Sequence, residues 1–397
     1  MDAITYLDNN ATTMVAPEVL EAMLPFLKDR YGNPSSMHRF GGNVAKDIAL
    51  ARERVASLIG ADHEYEIVFT GSGTESDNMA ILGSIAYYRD RRHIITSRVE
   101  HPAVLNLCKK LEKDGYRVTF VPVDAKGILD LEFLFDAVDD DTAVVSIMYA
   151  NNETGVIFPV ERIGAFCRER GVTFHVDAVQ AAGKIPIRVN DINCDLLSIA
   201  GHKFHAPKGV GALYVRRGTR LRPILYGGHQ EKGRRPGTEN VPGIVGIGAA
   251  AKLAEEHLPE YARRVKPLRD RLENTILSMF KNAHLNGDPS RRVPNTANIG
   301  FEFIEGEAIL LYLDEHGIAA SSGSACSSGS LEPSHVLRAM GVPFTSAHGS
   351  VRFSLSRYTT EEDIDRVLSV IPNVVNRLLE ISPYWDSAKQ MPRPINL

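Results

Sequence analysis

The stretch EIVFTGSGTES (66–76) decides the architecture. Ile67, Val68 and Phe69 form a short apolar run of the kind that fills a buried strand. Gly71-Ser72-Gly73 then turns the chain tightly, and a helical pattern runs from Thr74 to about Tyr87. Working outward, the alternation repeats. Apolar runs at His93–Thr96, Arg117–Val121, Ala143–Met148, Thr173–Val176 and Asp195–Ile199 are mostly separated by helical patterns such as Ala103–Lys113 and Val160–Arg170. Upstream, Pro17–Lys28 carries Val19, Leu20, Met23, Leu24 and Leu27 on one face, and a second helix runs from about Gly42 to Ile59. Strands alternating with helices predict an α/β layer fold around a largely parallel, buried sheet.

Gly209–Val215 reads as one more strand. From Val241 to Phe280 comes a long helical stretch, interrupted near Pro259 and Pro267. After it, 295–303 and 349–355 read as strands and 305–315 as a helix. A second, smaller α+β domain is therefore placed after about residue 257, joined by the extreme N-terminus.

Composition narrows the function classes. The 397 residues are 44% hydrophobic and 24% charged, ordinary for a globular protein. With 45 Lys and Arg against 49 Asp and Glu, the net charge of −4 gives no basic excess for nucleic acid or anionic lipid. The opening MDAITYLDNNATT has no basic and apolar leader, and near-apolar stretches such as 243–254 are too short to span a membrane. Of four cysteines, Cys108, Cys167, Cys194 and Cys326, no two form a CxxC pair, so reduced thiols in a cytoplasmic protein are expected.

Three places carry chemistry. At Thr70–Ser76 a strand ends, small residues turn and a helix begins, which suits a phosphate; taken alone it is equally an ordinary capped turn. In FHVDAVQ (174–180), Asp177 ends a buried strand, where open α/β sheets place ligands, although it could simply cap a helix after it. In LLSIAGHK (196–203), an apolar strand delivers Lys203, with Lys208 the local competitor in a Pro-Lys-Gly turn. A phosphate turn, an acidic strand end and a lysine after a strand are together what pyridoxal phosphate needs.

The sequence resembles the cysteine desulfurases of the NifS/IscS family. The matching segments include YLDNNATT (6–13), YGNPSS (31–36), TESDN (74–78), EHPAV (100–104), ANNETG (150–155), HVDAVQ (175–180), GHKFHAPKGVGALYV (201–215), GGHQEKGRRPGTEN (227–240), SSGSACSSGSLEPSHV (321–336) and VRFSLSRYTTEE (351–362). They span nearly the whole chain, and 227–240 and 327–340 look closer to the nitrogenase-associated NifS type. The resemblance implies a fold type I pyridoxal-phosphate-dependent transferase. A large domain, 14–256, would hold a mainly parallel seven-stranded sheet, and a small α+β domain, 1–13 and 257–397, would carry the catalytic-cysteine loop at about 321–332.

It also implies roles. Lys203 would hold the cofactor aldehyde, Asp177 would pair with the ring nitrogen, Gln180 would hydrogen-bond the ring hydroxyl and His101 would stack on the ring. Gly73, Thr74 and His202 would hold the phosphate, and Thr238 would reach the phosphate of a neighbouring subunit in a homodimer. Asn152, also beside the cofactor, and Arg352 would bind the carboxylate of L-cysteine. Ala200 stands where housekeeping members usually carry Ser, which removes one phosphate hydroxyl contact. Cys326, in a run too small and polar to pack a core, would take the sulfur as a persulfide, pass it to an iron–sulfur scaffold of the NifU/IscU kind, and could transiently ligate a cluster; the other thiols read as structural. A selenocysteine or carbon–sulfur lyase is the alternative within enzymes, and a catalytically silent sulfur carrier the alternative outside them. Cys326 argues against the first, and the joint presence of Lys203, Asp177, His101 and Cys326 against the second.

Overall fold

The structure, a computed structural model, describes residues 4–322, 333–386 and 391–393. The chain enters through a two-residue strand, β1 (Thr5–Tyr6), and helices α1 (Pro17–Lys28) and α2 (Arg39–Ile59). Strands β2 (Ile67–Thr70), β3 (His93–Ser97), β4 (Arg117–Val121), β5 (Thr142–Met148), β6 (Thr173–Asp177), β7 (Leu196–Ala200) and β8 (Gly211–Val215) then build one seven-stranded sheet in the order β2-β8-β7-β6-β5-β3-β4. Only β8 runs antiparallel to its neighbours, so β3 to β7 point the same way. Helices α3 (Gly73–Tyr87), α4 (Pro102–Lys113), α5 (Leu131–Ala137), α6 (Val160–Arg170) and the short α7 (Val189–Ile192) make the connections. All seven residues of β5 and all five of β6 and β7 are buried, the near-continuous apolar signature of a sheet covered on both faces. The α/β reading of 66–215 matches this sheet strand for strand.

Helix α3 is buried along most of its length, with Met79, Ala80, Ile81, Gly83, Ser84 and Ile85 inside, because it packs across β5 to β8. This fixes its N-terminus beside the ends of β6 and β7.

The predicted interruptions at Pro259 and Pro267 do not occur: α8 is continuous over Val241–Met279. Each proline removes one i→i−4 bond, but the carbonyls so released, on Glu255 and Arg263, lie on exposed turns where water can satisfy them. The helix is held at both ends by different cores. Its first half packs Ile244, Ile247 and Ala251 into the cluster under the large sheet. Its second half packs Val265, Leu272 and Ile276 against a separate cluster that includes Leu7, Phe301, Phe353 and Ile371. That second cluster lies on a small antiparallel sheet, β9 (Ala283–Leu285), β10 (Thr296–Phe301) and β12 (Ser350–Ser354), in the order β12-β10-β9, with helices α9 (Gly306–Glu315) and α12 (Glu361–Ile381) over it. Between them, α10 (His335–Ala339) and α11 (Phe344–His348) return Val336, Leu337 and Ala347 to the first cluster.

The N-terminus is stitched to the small sheet. β1 pairs parallel with β11 (Ile318–Ala319), and Asn9 N donates to Ser354 O at 3.1 Å. Four residues on, Thr13 N donates to His202 O at 2.9 Å, just past β7. Residues 8–13 therefore bridge the two sheets.

At the crossing of α8 and α2, a Cβ on Gly248 would sit 2.5 Å from Ala51 Cα. Because that neighbour is backbone, a methyl group can fit only by prising the helices apart. Gly248→Ala should destabilise the protein by about 1–3 kcal/mol, read as a lowered urea midpoint with an unchanged slope.

Candidate active site

The carboxyl ends of β5, β6 and β7 converge on one cavity of about 230 Å³, at the edge where such sheets bind ligands. Each wall has a local cause. Asp177 is the last residue of β6, and its Oδ1 accepts from Val179 N at 2.9 Å. It therefore caps the following turn as well as lining the cavity. Burial raises its carboxyl to about 6, against the opposing pull of the hydrogen bond from Val179 and of Lys203.

Lys203 ends a single 3₁₀ turn, Gly201–Lys203, directly after β7. Gly201 makes that turn possible: a Cβ there would come within 2.9 Å of Ala206 Cβ. Lys203 Nζ donates to Asn10 O at 2.6 Å and Ala11 O at 2.8 Å. Lys208 is exposed, so Lys203 is the lysine that reaches the cavity.

The N-terminus of α3 faces the same space. Ser72 caps it, its Oγ accepting from Glu75 N at 3.1 Å. Gly73 lies so close to the wall that a Cβ would be 2.9 Å from Val179 Cγ2 and 3.2 Å from Ala200 Cβ. Glu75 then accepts from Gly71 N at 2.8 Å and from Arg235 Nε at 2.7 Å, which ties the 234–240 loop to the turn.

His101 caps α4, with Nδ1 accepting from Ala103 N at 3.1 Å. That bond puts the proton of the neutral ring on Nε2. Burial, then Lys203 and His335, lower His101 to about 4, so the ring is neutral at pH 7. His202 is lowered likewise to about 4, and its Nδ1 lies 3.1 Å from Thr12 Oγ1. Gln180 donates from Nε2 to Asn10 O at 2.9 Å while its Oε1 accepts from the buried Lys184.

The cavity thus brings together Gly73, Thr74, His101, Asn152, Asp177, Gln180, His202 and Lys203. Arg352 is one step removed: buried on β12, it donates from Nη1 to Asn152 O at 2.9 Å and from Nη2 to Asp8 Oδ1 at 2.7 Å. Thr238 is exposed and does not line the cavity of its own chain. Cys326 and most of the 321–332 loop lie outside the described residues. Cys108, Cys167 and Cys194 are buried, and burial raises the first two thiols to about 12. Among the described residues no group of three or more His, Cys, Asp or Glu could hold a metal ion.

Sequence reasoning assigned no role to Asn10, Asp77 or Lys184. Asn10 stood inside the quoted YLDNNATT, but its part depends on contacts with residues up to 344 positions away. Asp77 and Lys184 are buried ionisable groups in helix- and loop-like text, and burial is what singles them out.

The donor set fits pyridoxal phosphate on two observations. Asn152 Oδ1 is buried with no hydrogen-bond partner among the described residues, which leaves a polar atom for a guest to satisfy. Gly73 and Thr74, the first residues of α3, line the cavity with no room for a side chain at Gly73, and the first amides of a helix lack intrahelical partners, which suits a phosphate.

Residues 5–367 match the aminotransferase class-V family, and the chain belongs to it. Within that family it is a cysteine desulfurase-type member, with pyridoxal 5'-phosphate as cofactor. It is 61% identical to a cysteine desulfurase of Trichormus azollae over 382 residues, covering 96% of this chain and 95% of that one. It is 57% identical to the cysteine desulfurase NifS of Azotobacter vinelandii, covering 96% and 95%. A solved NifS-like protein superposes with a TM-score of 0.89 at 41% identity, over 95% of this chain and all of that one.

The buried histidines give a pH dependence of definite sign. His101, His202 and His205 all sit near 4 against an ordinary 6.5. Between those values the unfolded chain binds protons that the native protein refuses, so acidification through this window costs stability. Glu100, pushed up to about 8, works the other way between 8 and its ordinary 4.5, and offsets part of the loss. His205→Gln should flatten the stability–pH slope of cofactor-stripped protein between pH 6.5 and 4 by about 1.4 kcal/mol per pH unit. Urea titrations at four or five pH values measure it, and an unchanged slope would show that His205 takes up its proton in the folded state.

Proposed function

We propose that this chain converts L-cysteine to L-alanine and passes the sulfur, as a persulfide on Cys326, to an iron–sulfur cluster scaffold, in the service of nitrogenase maturation. The single observation that carries the chemistry is the meeting of Lys203, Asp177 and the α3 N-terminus around one cavity. Similarity to a NifS supports the finer assignment.

When bound, pyridoxal phosphate supplies an electron sink that acidifies the Cα proton of an attached amino acid and weakens its Cβ–S bond. Lys203 would hold the aldehyde, and its freed amine would serve as base for the Cα proton. Asp177 would keep a proton on the ring nitrogen, Gln180 would serve the ring hydroxyl, and the amides of Gly73 and Thr74 with His202 would hold the phosphate. His101, being neutral, would relay a proton through Nε2. Asn152 and Arg352 hold the substrate carboxylate. The Cys326 thiolate attacks the substrate sulfur: an S–S bond forms, the Cβ–S bond breaks, and the carbon skeleton takes up a proton to leave as alanine.

The active unit is read as a C₂ homodimer, because Thr238 is exposed on a loop that Arg235 and Glu75 fasten to the phosphate turn. The two apolar clusters favour a large domain of residues 14–256 and a small domain of residues 1–13 and 257–397, except that Val336, Leu337, Met340 and Ala347 pack into the first cluster. A cytoplasmic site of action accords with the free thiols; no helix among the described residues is long and apolar enough to cross a membrane.

Lys203→Ala should fold but lose both the visible absorbance of covalently held cofactor and turnover, whereas Lys208→Ala should keep both. Absorbance spectra of the two purified variants decide it, and retained colour in the first would move the anchor elsewhere.

Cys326→Ser should bind cofactor and change its spectrum on addition of L-cysteine, yet form no persulfide and almost no alanine. Mass spectrometry of the wild type should place one added sulfur on the peptide containing Cys326. Wild-type alanine production by the serine variant would favour the lyase alternative.

A further inference from the structure

A second carboxyl lines the cavity beside Asp177. Asp77, on α3, is 1% exposed, and its Oδ1 has no hydrogen-bond partner among the described residues. Behind it runs a chain of hydrogen bonds. His175 Nδ1 lies 2.8 Å from Ser146 Oγ, and His175 Nε2 lies 2.9 Å from Ser198 Oγ. Ser198 stands beside Asp77, where its hydroxyl favours the ionised form of that carboxyl. Both serines can donate or accept, so the chain through a neutral imidazole can run in either direction. Asp77 Oδ1 stands 3.6 Å from His175 Nε2, within ion-pair range, but a neutral imidazole supplies no cation there.

The titratable groups facing Asp77 are Asp177 and His175 on β6 and Glu100 before α4; His101 and Lys203 lie across the cavity. A pyridinium nitrogen brings one positive charge and compensates one carboxylate. A second buried carboxylate would be left unpaired, at a large desolvation cost.

We propose that Asp77 is a positioning residue for Asp177: it remains a neutral carboxylic acid and presents its unpartnered oxygen to the cavity so that a single negative charge faces the cofactor ring nitrogen. Burial first, then the nearby Asp177, push Asp77 well above the ordinary carboxylate range, and the Ser198 hydroxyl opposes them only in part. Burial also lowers His175 to about 3, which keeps the imidazole neutral. The inference rests on the assignment of Asp177 to the ring nitrogen.

Two variants test it. Asp77→Asn keeps the shape and a donor without any charge, and Asp77→Ala removes both. Pyridoxal phosphate titrated into stripped protein should bind Asp77→Asn within about twofold of wild type and Asp77→Ala about tenfold more weakly. In holoenzyme carrying ¹⁵N-labelled cofactor, the ring-nitrogen shift should be that of a protonated ring in wild type and in Asp77→Asn. The infrared difference between wild type and Asp77→Asn should contain one protonated-carboxyl band. Loss of affinity in Asp77→Asn equal to that in Asp77→Ala, or absence of that band, would make Asp77 a working carboxylate and overturn the proposal. If Asp77→Ala does not fold, the infrared difference between wild type and Asp77→Asn still decides. Asp177→Asn serves as control: if it leaves affinity and nitrogen shift untouched, the reading of Asp177 fails, not that of Asp77.

Discussion

One side chain and its carbonyl hold the two sheets in register: Asn10. Its backbone oxygen accepts from both Lys203 Nζ and Gln180 Nε2. Its Oδ1 accepts from Lys184 and from Asn295 Nδ2, and its Nδ2 donates to Asn152 O and Thr296 Oγ1. Lys203 and Gln180 belong to the large sheet's edge, Asn295 and Thr296 to the start of β10 in the small one. An amide is suited to this place because it donates and accepts without charge, and at 2% exposure a carboxylate would have to be neutralised. Precision in the cavity therefore depends on a residue that belongs to neither sheet.

This dependence marks the limit of what the amino-acid pattern discloses. The strands from 67 to 215 are legible because a doubly covered sheet writes itself as short apolar runs, and the site's main poles are legible because strand ends and helix starts have local signatures. Asp177 and Lys203 are of this sort. Asn10, Asp77 and Lys184 are not, since nothing local distinguishes a buried asparagine, aspartate or lysine from an exposed one. The continuous α8 was missed for a related reason: two prolines predict a break, and only the tertiary anchoring of both halves, with the released carbonyls facing water, overrides it. Arg352 alone on a strand reads as a surface ion-pair partner, yet it is buried and bound to Asn152 and Asp8. The role proposed for it comes from family resemblance and not from pattern.

Electrostatically the cavity is a place where the protein withholds charge. Burial pushes Glu100 up to about 8 and raises Asp77, Asp177 and Glu153, while it lowers His101, His175, His202 and Lys184. Each group is driven toward its neutral form for the same reason, the loss of hydration. A dianionic phosphate and a cationic ring nitrogen then enter surroundings in which little competes with them, and in which each hydrogen bond counts for more than it would in water. The cost appears in the pH dependence of stability, where the lowered histidines lose stability on acidification and the raised carboxyls gain it, and a bound cofactor adds stability by mass action.

The same burial that tunes the cavity also sorts the thiols. A thiol must ionise to attack sulfur, and a group raised to about 12 is almost entirely protonated at neutral pH. Cys108 and Cys167 are in that condition, and Cys194, fully buried, is raised as well. Cys108 owes part of its shift to the buried Glu100, and Cys194 lies in the core beneath the turn that leads to β7. Neither can leave its place without opening the sheet's covering layer. This supports the proposal that sulfur chemistry falls to Cys326, whose neighbours in sequence are serine, glycine and alanine. Packing makes three thiols inert, and the fourth stands in a run whose composition offers no large apolar side chain to build a core around it.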